Sequence, residues 1–331
     1  MSDQDLRAVV ERLAGQVSAI AYYEVMGVER QNRQLALAGR TASFEVRRKD
    51  SIRDLSDVEF RVTSQWGEDG IIDWLVEHIP MANTTFVEFG VENYQEANTR
   101  FLLQNRIWRG LVLDGSADHM NALRREALYW RHDVTAVNAF ITRDNINDLI
   151  GGNGYQGDIG LLSVDIDGND YWVLEALTVV RPRILVMEYN GVLGDQHAIT
   201  IPYAADFDRL RAHHSGQYFG ASIRAVQGLA ERKGYRFVGT CSNGVNAFFV
   251  REDLFHHVDG RIETKRAWPS QHRDSRNEQG ALTHTRGVAR ADLIKHLPVV
   301  LTEDGGRQVE LGSLMPLYSP EWTAILEGAP E

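Results

Sequence analysis

Cysteine is nearly absent from this chain of 331 residues, which contains only Cys241. One thiol cannot form a disulfide within the chain, and it cannot supply the ligands of a cysteine-based zinc site. Such sparing use of cysteine is typical of proteins from a reducing compartment. We therefore expect a cytoplasmic protein whose fold depends on its apolar core, for which 43% hydrophobic residues and seven tryptophans provide the material.

Long hydrophobic runs are missing as well. No segment approaches the ~20 apolar residues that a helix needs to cross a bilayer. The first residues, Met-Ser-Asp-Gln-Asp-Leu-Arg, are polar and acidic and lack the apolar centre of a signal peptide. The sequence thus predicts a cytoplasmic location and no membrane partner.

Positive charge is in deficit, since 35 Lys and Arg stand against 46 Asp and Glu and give a net charge of −11. Binding to the phosphates of a nucleic acid requires a basic surface. The basic clusters of this chain, at 47–49 and 124–125, are short. We therefore expect no nucleic-acid partner.

The sequence divides into three parts, because its length exceeds the usual single domain of roughly 100–150 residues. Residues 1–58 predict an N-terminal helical extension, 59–252 a central α/β domain, and 253–331 a C-terminal extension. The first part has one apolar helical face within 4–38, which would pack on the body or on a second subunit of a homo-oligomer. The last part begins with a polar, extended segment at 261–290 and ends in a tail over 291–324, which would wrap the domain or a neighbour. The apolar face at the N-terminus consists of Leu6, Val9, Leu13, Val17 and Ile20.

Helices and apolar strands alternate from about residue 60, which predicts parallel βαβ units. The last two strands predict a reversed pair, a known variation on a mostly parallel sheet. The expected fold is α/β, with a Rossmann-like, doubly wound, mostly parallel seven-stranded sheet and a terminal antiparallel strand. The predicted strands are 85–89, 110–113, 134–137, 159–164, 184–187, 235–240 and 247–250, and the predicted helices are 69–78, 97–105, 117–130, 143–150, 171–177 and 222–233.

Two strand ends suggest a nucleoside-type cofactor. Glu88 and Gly90 close the first strand, and Asp114 closes the second about 24 residues later. A glycine lets the backbone approach a ligand, and an acid at this second position can accept hydrogen bonds from ribose hydroxyls. The glycine-rich turn that admits a pyrophosphate is missing, and Glu92 stands in its place. NAD(P) is therefore disfavoured, whereas S-adenosylmethionine, which has no phosphate and carries positive charge, suits these residues.

The fourth strand ends in three carboxylates, Asp165, Asp167 and Asp170. Ligands of open α/β sheets collect at the carboxyl ends of the strands, so these acids are candidates for a ligand site. The alternative is a capped turn, in which Asp167 or Asn169 begins the next helix. These residues alone leave both interpretations open.

Several blocks of residues occur in a characteristic order between about 60 and 252. Together they resemble the bacterial class I S-adenosylmethionine-dependent methyltransferases, near the FkbM-like group that O-methylates sugars and natural products. The blocks are Ser64-Gln65-x-Gly67-Glu68-Asp69-Gly70, Phe86-Val87-Glu88-Phe89-Gly90-Val91, Asn98-Thr99-x-Phe101-Leu102-Leu103, Trp108-x-Gly110-Leu111-x-Leu113-Asp114-Gly115-Ser116, Leu161-Leu162-Ser163-Val164-Asp165-Ile166-Asp167-Gly168, Glu188-Tyr189-Asn190, Tyr218-Phe219-Gly220-Ala221-Ser222 and Asn246-Ala247-Phe248-Phe249-Val250.

The resemblance implies a set of cofactor-binding residues. Glu88 and Gly90 match the positions beside the methionine part of S-adenosylmethionine, and Asp114 matches the acid that binds the ribose. Residues implied to complete this cofactor site are Gln65, Asn98 and Ser116.

A divalent cation is a further expectation. Asp165 ends the fourth strand, and Glu188 and Asn190 end the fifth, so neighbouring strands would bring them together. Carboxylate and amide oxygens suit a hard cation such as Mg²⁺, which would hold two substrate oxygens and acidify a hydroxyl. The alternative is metal-free general-base catalysis by Asp167, Asp170 or a histidine.

An insertion at about 191–221 follows the fifth strand and is expected to form a substrate lid over the catalytic face. Its best candidate base is His197, which lies seven residues beyond Asn190. Tyr218 and Phe219 would stack on a ring of the substrate or pack in the core. The predicted catalytic residues are Asp165, Asp167 and His197.

The function expected from these residues and from the resemblance is an S-adenosylmethionine-dependent O-methyltransferase. Its substrate would be a small molecule, a sugar or glycosylated metabolite, methylated on a hydroxyl. Two alternatives stay open. One is a metal-free methyltransferase with an amine or carboxyl acceptor, and the other is a non-catalytic Rossmann-like binding or assembly protein.

Overall fold

The structure is a computed structural model, and it describes residues 3–328 of the chain. Within that range the strands form two sheets, one large and one small. The strands are β1 (Thr85–Phe89), β2 (Arg109–Asp114), β3 (Val134–Asn138), β4 (Gly157–Val164), β5 (Val180–Glu188), β6 (Ile199–Thr200), β7 (Tyr235–Thr240), β8 (Asn246–Arg251), β9 (Pro298–Leu301) and β10 (Gln308–Glu310).

The large sheet has seven strands in the order β3-β2-β1-β4-β5-β8-β7. Strands β1 to β5 pair in parallel, and β8 runs antiparallel to both of its neighbours. The prediction of a doubly wound, mostly parallel seven-stranded sheet is confirmed. The reversed strand is the last of the sheet in sequence, but in space it lies between β5 and β7 rather than at the edge.

Helices cover both faces of this sheet, and that is why its central strands are continuous apolar runs. Side chains alternate between the faces, so that Phe86 packs with α2 to α4 while Val87 packs with α6, α7 and α9. The α-helices are α1 (Asp3–Arg47), α2 (Glu68–His78), α3 (Arg100–Arg106), α4 (Ala117–Arg125), α5 (Ala127–Arg131), α6 (Ile146–Gly152), α7 (Asp170–Ala176), α8 (Arg209–Ala212), α9 (Ile223–Arg232), α10 (Ala289–Asp292) and α11 (Pro320–Glu327).

The helix predicted over 117–130 is two helices. Glu126 separates α4 from α5 with an extended backbone, at φ −69° and ψ 149°. Its carboxylate accepts a hydrogen bond from the buried Arg100 guanidinium at 2.8 Å. A tertiary ion pair thus fixes the break, which the apolar periodicity of the segment does not reveal.

Helix α1 is 45 residues long and reaches well past the predicted end at residue 38. Its C-terminal end packs on the body, where Ser43 and Arg47 bind the carboxylate of Asp73. Along the predicted apolar face, Leu13, Val17 and Ile20 are exposed, at 51%, 65% and 59%. The side chains of Leu6 and Val9, which belong to the same prediction, lie outside what the structure describes. Within residues 3–328, no helix combines the length and the apolar character needed to cross a bilayer.

The small sheet joins two distant parts of the chain. Its order is β10-β9-β6, so that β6, from the insertion after β5, pairs with β9 from the C-terminal region. Side chains from both parts form a separate apolar core. This core contains Val192, Leu193, Ile199, Ile201, Tyr218, Ala291, Ile294, Val299, Leu311 and Leu317.

Candidate functional site

A cleft lies at the carboxyl ends of the parallel strands and consists of two adjoining cavities, of about 260 and about 180 Å³. The two cavities share Gly90, Glu92, Asp165 and Asp167. The predicted site residues that line the larger cavity are Gln65, Glu88, Gly90, Asn98, Asp165, Asp167, Glu188 and Asn190, and those that line the smaller are Gly90, Asp114, Asp165 and Asp167.

Gly90 joins the end of β1 to the end of β4. Its φ is +79°, in the left-handed region, and an added Cβ would lie 1.3 Å from the carbonyl oxygen of Asp165. No side chain fits there. The glycine predicted at this turn is therefore required by the contact between two strand ends, whatever ligand the cleft receives.

Glu88 is buried below this turn, and its carboxylate accepts hydrogen bonds from the backbone N–H groups of Asn98 (2.8 Å) and Thr99 (3.0 Å). These bonds fix the chain just before α3. Burial outweighs the hydrogen bonds and raises the pKa of Glu88 to about 7. Asn98 in turn donates to the Ser163 hydroxyl at 3.0 Å. Glu88 and Asn98 therefore line the larger cavity while holding its wall together.

Asp114 ends β2 and faces the smaller cavity, together with Phe140 and Ile141. One carboxylate oxygen accepts the N–H of Glu92 and the other accepts the N–H of Ser116, each at 2.8 Å. The oxygen that accepts from Ser116 also lies 3.5 Å from Nδ1 of His119, and the oxygen that accepts from Glu92 keeps a second lone pair for a ligand. Ser116 is the N-cap of α4 and is not among the residues lining either cavity.

Gln65 reaches the larger cavity from a loop that Asp69 organises. The carboxylate of Asp69 accepts hydrogen bonds from the backbone of Val62, Thr63 and Ser64. Burial of this acid raises its pKa to about 6. The loop before α2 is thus fixed in place, and Gln65 projects from it.

Three carboxylates meet between β4 and β5. Asp165, Asp170 and Glu188 each offer an oxygen, and these oxygens lie within 4.8 Å of one another. Burial, followed by repulsion from neighbouring acids, raises the pKa of Asp165 and of Glu188 well above their ordinary values. Glu188 is 8% exposed, and its Oε2 has no hydrogen-bond partner. The cluster can therefore bind a cation or share protons.

Asn190, the third predicted metal ligand, lines the larger cavity, and its amide is engaged in hydrogen bonds at the end of β5. Its Oδ1 accepts the N–H of Val192 at 2.9 Å, and its Nδ2 donates to the carbonyls of Gln217 and Phe219. These bonds tie the insertion to the end of β5. Asn190 therefore has a structural role although it touches the larger cavity.

Asp170 supports the turn before α7. Its two oxygens accept hydrogen bonds from the N–H groups of Ile166 (2.7 Å) and Gly168 (2.9 Å). Burial raises its pKa to about 6. Asn169 is the N-cap of α7, but its side chain forms no cap hydrogen bond, and Asp170 holds the turn instead, whereas Asp165 faces the cleft.

Asp167 lines both cavities in the left-handed region, at φ +56°. It forms an ion pair with Arg209, whose Nη1 lies 2.6 Å from the carboxylate. Arg209 also lies over the ring of Phe219, 3.9 Å from its centroid. One ring face of Phe219, a predicted stacking residue, is thus occupied by a guanidinium.

His197 does not reach the cleft, and the prediction of a catalytic role for it receives no support from the geometry. Its carbonyl accepts a hydrogen bond from the Ser222 hydroxyl at 2.7 Å, and it lines neither cavity. The chain turns away before it, at Gly194, which has φ +76° and packs on the Leu317 carbonyl. Proximity in sequence to Asn190 therefore does not become proximity in space.

One wall of the larger cavity contains none of the residues predicted from the sequence except the stacking candidate Phe219. The other residues of this unpredicted wall come from the insertion, from the polar segment after β8 and from α10, and they belong to no periodic pattern or motif. The segment predicted only as extended turns out to be packed, with Ser270 and Ser275 buried. The lining residues of this wall with ionisable or amide side chains are Arg209, Gln217, His272, Asp274 and Arg290.

No protein-family model matches this chain, and no curated protein matches it. Solved structures do show similarity. One is an S-adenosylmethionine-dependent methyltransferase from Clostridium acetobutylicum ATCC 824, with 9% identity, 56% of this chain and 90% of that chain covered, and a TM-score of 0.36. A second is the N-terminal domain of EvdMO1 with SAH bound, at 10% identity, 57% and 80% coverage and a TM-score of 0.35. A third is the O-methyltransferase from Bacillus cereus in complex with SAH, at 14% identity, 50% and 72% coverage and a TM-score of 0.32. Likeness at this level assigns no activity to the chain.

Proposed function

We propose that this protein is an S-adenosylmethionine-dependent O-methyltransferase that acts on a hydroxyl of a small polyhydroxylated molecule, a sugar or glycosylated metabolite. The observation that carries the proposal is the placement of Asp114 and the cluster of Asp165, Asp170 and Glu188. Asp114 lines a cavity that adjoins, across Gly90 and Asp165, the cavity holding the carboxylates. A ribose site and a hydroxyl-activating site thus adjoin.

The smaller cavity suits the nucleoside of S-adenosylmethionine. Asp114 offers acceptors for ribose hydroxyls, and Phe140 and Ile141 offer apolar surface for a base. Glu92 and Asp165, on the border with the larger cavity, favour a sulfonium and oppose a pyrophosphate. The combination therefore supports a positively charged nucleoside cofactor.

The carboxylate cluster fits a divalent cation, since its three donors are hard oxygens and the Glu188 Oε2 atom is buried without a partner. Asp165 and Glu188 would hold the ion, with Asp170 completing the set while it keeps its turn. A cation bound there would orient substrate oxygens and lower the pKa of a hydroxyl.

The protein's own part in the reaction is positioning and charge. S-adenosylmethionine supplies an electrophilic methyl group, and transfer to an oxygen is an in-line displacement in which positioning supplies much of the rate. The contact of Gly90 with Asp165 fixes the carboxylates relative to the cofactor turn. Asp165 is the residue we place at the acceptor hydroxyl, and Asp167 would act as base only after releasing Arg209.

Calorimetry tests the proposal directly. We expect the protein to bind S-adenosylmethionine and SAH, and chelation with EDTA to abolish methyl transfer to hydroxylated acceptors. The absence of binding heat with either nucleoside would contradict a methyltransferase function. Full methyl transfer in the presence of EDTA would show that no cation is needed. Asp165 and Glu188, with their raised pKa values, would then act as a metal-free pair that accepts the proton.

A further inference from the structure

The unpredicted wall of the larger cavity holds a buried arginine without a counterion. Arg290, in α10, is 3% exposed and lines the cavity. Its guanidinium donates to the carbonyl oxygen of Ser270 and, at 3.5 Å, to the Ser270 hydroxyl. The Nε–H group has no partner. Within the described chain, no carboxylate forms an ion pair with it.

The other buried arginines of the described chain are matched. Arg100, 8% exposed, pairs with Glu126 at 2.8 Å, and Arg251, 6% exposed, pairs with Asp253 at 2.7 Å. A guanidinium stays charged in a protein, so burying it without a negative partner is costly. Arg290, the most buried of the three, therefore departs from the pattern that the rest of the chain follows.

Neighbouring charges do not supply the missing counterion. Asp274, an acid of the same wall, is bound to Arg209 at 3.1 Å and to Gln217 at 3.0 Å. His272 also lies in this wall and packs edge-to-face on Trp66, with centroids 4.9 Å apart. Burial lowers the pKa of Arg290. Tyr318 and Asp274 oppose this effect without overcoming it, and repulsion from Arg209 adds to it. The wall thus carries more positive than negative charge.

We infer that this wall binds an oxyanion group of the methyl acceptor, a carboxylate or a phosphate, through Arg290 with His272 beside it. The inference rests on the proposed function. A planar guanidinium matches the paired oxygens of a carboxylate or phosphate, and its unused donors are those that such a group satisfies. The acceptor is therefore an acidic hydroxylated molecule, of the uronate or sugar-phosphate kind, with its hydroxyl at Asp165 and its anion at Arg290.

Titration of small anionic probes tests this site, with and without SAH present. The probes are glucuronate, glucose 6-phosphate and inorganic phosphate, and neutral glucose is the matched control ligand. We expect the anions to bind at least tenfold more tightly than glucose. Whether glucuronate or glucose 6-phosphate binds more tightly then shows whether the wall recognises a carboxylate or a phosphate. Equal binding of glucose, or no binding of any anion, would overturn the inference.

Variants separate recognition from structure. We expect Arg290→Gln to weaken anion binding at least tenfold, Arg290→Lys to retain part of it, and Arg211→Gln, at an exposed position of the insertion, to leave it unchanged. SAH affinity should be the same in all of them. If Arg290→Gln weakens SAH binding instead, the arginine holds the cofactor's carboxylate and the inference is wrong.

Thermal unfolding gives a readout independent of activity. Because an unpaired buried charge destabilises the ligand-free protein, we expect Arg290→Met to have a higher melting temperature than the wild type. Phosphate or glucuronate should raise the melting temperature of the wild type but not that of Arg290→Met. A lower melting temperature for Arg290→Met would mean that the arginine is a structural anchor. If the wild-type protein binds the anions but not SAH, the oxyanion site is supported and the methyltransferase proposal is contradicted.

Discussion

The backbones of Gly90 and Asp165 touch, so closely that a Cβ on the glycine would lie 1.3 Å from the aspartate carbonyl oxygen. The contact joins the first and fourth strand ends, which are neighbours in the sheet. The turn after β1 and the carboxylate cluster are therefore joined by a direct backbone contact, and a disturbance at either residue reaches the other.

Gly90→Ala should destabilise the protein and abolish ligand binding in the cleft. The left-handed conformation alone costs an alanine about 1–2 kcal/mol, and the contact with Asp165 adds to this. Urea unfolding monitored by tryptophan fluorescence measures the loss. The matched control is Gly152→Ala, because a Cβ added at that position would have no atom within 4 Å. A stable Gly90→Ala protein would show that the strand ends can move apart.

Asp114→Asn should weaken SAH binding at least tenfold. The amide removes one acceptor for a ribose hydroxyl, and its NH₂ group faces an N–H of Glu92 or Ser116 that now lacks an acceptor. Isothermal titration calorimetry measures the change in affinity. Asp118→Asn, an exposed position in the first turn of α4, should bind SAH as the wild type does. An unchanged affinity of Asp114→Asn for SAH would show that the nucleoside does not bind in the smaller cavity.

Asp165→Asn and Glu188→Gln should each abolish Mg²⁺ binding, since either change removes one of the grouped carboxylates. Asn190→Ala should leave Mg²⁺ binding intact, because its amide is engaged with Gln217 and Phe219. Calorimetry with Mg²⁺ on the wild type and these variants distinguishes the sets. Loss of Mg²⁺ binding in Asn190→Ala as well as in Asp165→Asn and Glu188→Gln would show that the amide is a ligand, as expected from the sequence.

Five residues that line the cleft were predictable from the sequence because strand ends are local features. Glu88, Gly90, Asp114, Asp165 and Glu188 each lie at the end of a short apolar run, and a parallel sheet brings such ends to one edge. The fold was predictable for the same reason, since buried strands and amphipathic helices have distinct periods. The exact ends of helices were less predictable, because a helix can continue beyond its apolar pattern, as α1 does.

The positions of the arginines in the unpredicted wall could not be predicted from the sequence. Arg209 and Arg290 come from segments without a regular period, and their positions depend on contacts between parts of the chain that are distant in sequence. Nothing local distinguishes the buried Arg290 from an exposed arginine. The same limit explains His197, whose path is set by the packing of Gly194 on Leu317.

Ionisation of Glu88 should make stability fall as pH rises. Its pKa is raised from about 4.5 to about 7, so between these values the folded state binds more protons than the unfolded state. The contribution amounts to about 3 kcal/mol, present below pH 4.5 and lost as the pH approaches 7. Asp69 and Asp170 act in the same direction.

Urea unfolding at pH 5, 6, 7 and 8 checks this dependence. The free energy of unfolding of Glu88→Gln should fall less steeply with pH than that of the wild type. Glu231→Gln, at an exposed position of α9, should follow the wild-type slope. Equal pH slopes for Glu88→Gln and the wild type would show that the pKa of Glu88 is not raised in the folded protein.

Helix α1 should drive self-association. Leu13 and Ile20 lie on one face and are more than half exposed, which leaves apolar surface uncovered in a single chain. We expect light scattering to find an oligomer for the wild type and a monomer for the double variant Leu13→Glu, Ile20→Glu, with an unchanged melting temperature. Ser18→Glu, on another face of the helix, should remain oligomeric. A monomeric wild type at micromolar concentration would refute association through α1.

The pairing of β6 with β9 has a consequence for the engineering of this protein. Ile199 of the insertion lies opposite Leu301 of the C-terminal region, and the two regions share one apolar core. Neither region has a complete interior without the other. An engineered variant in which either region is replaced therefore requires that the insertion and the C-terminal residues of this core be exchanged together, as one unit built from two discontinuous pieces.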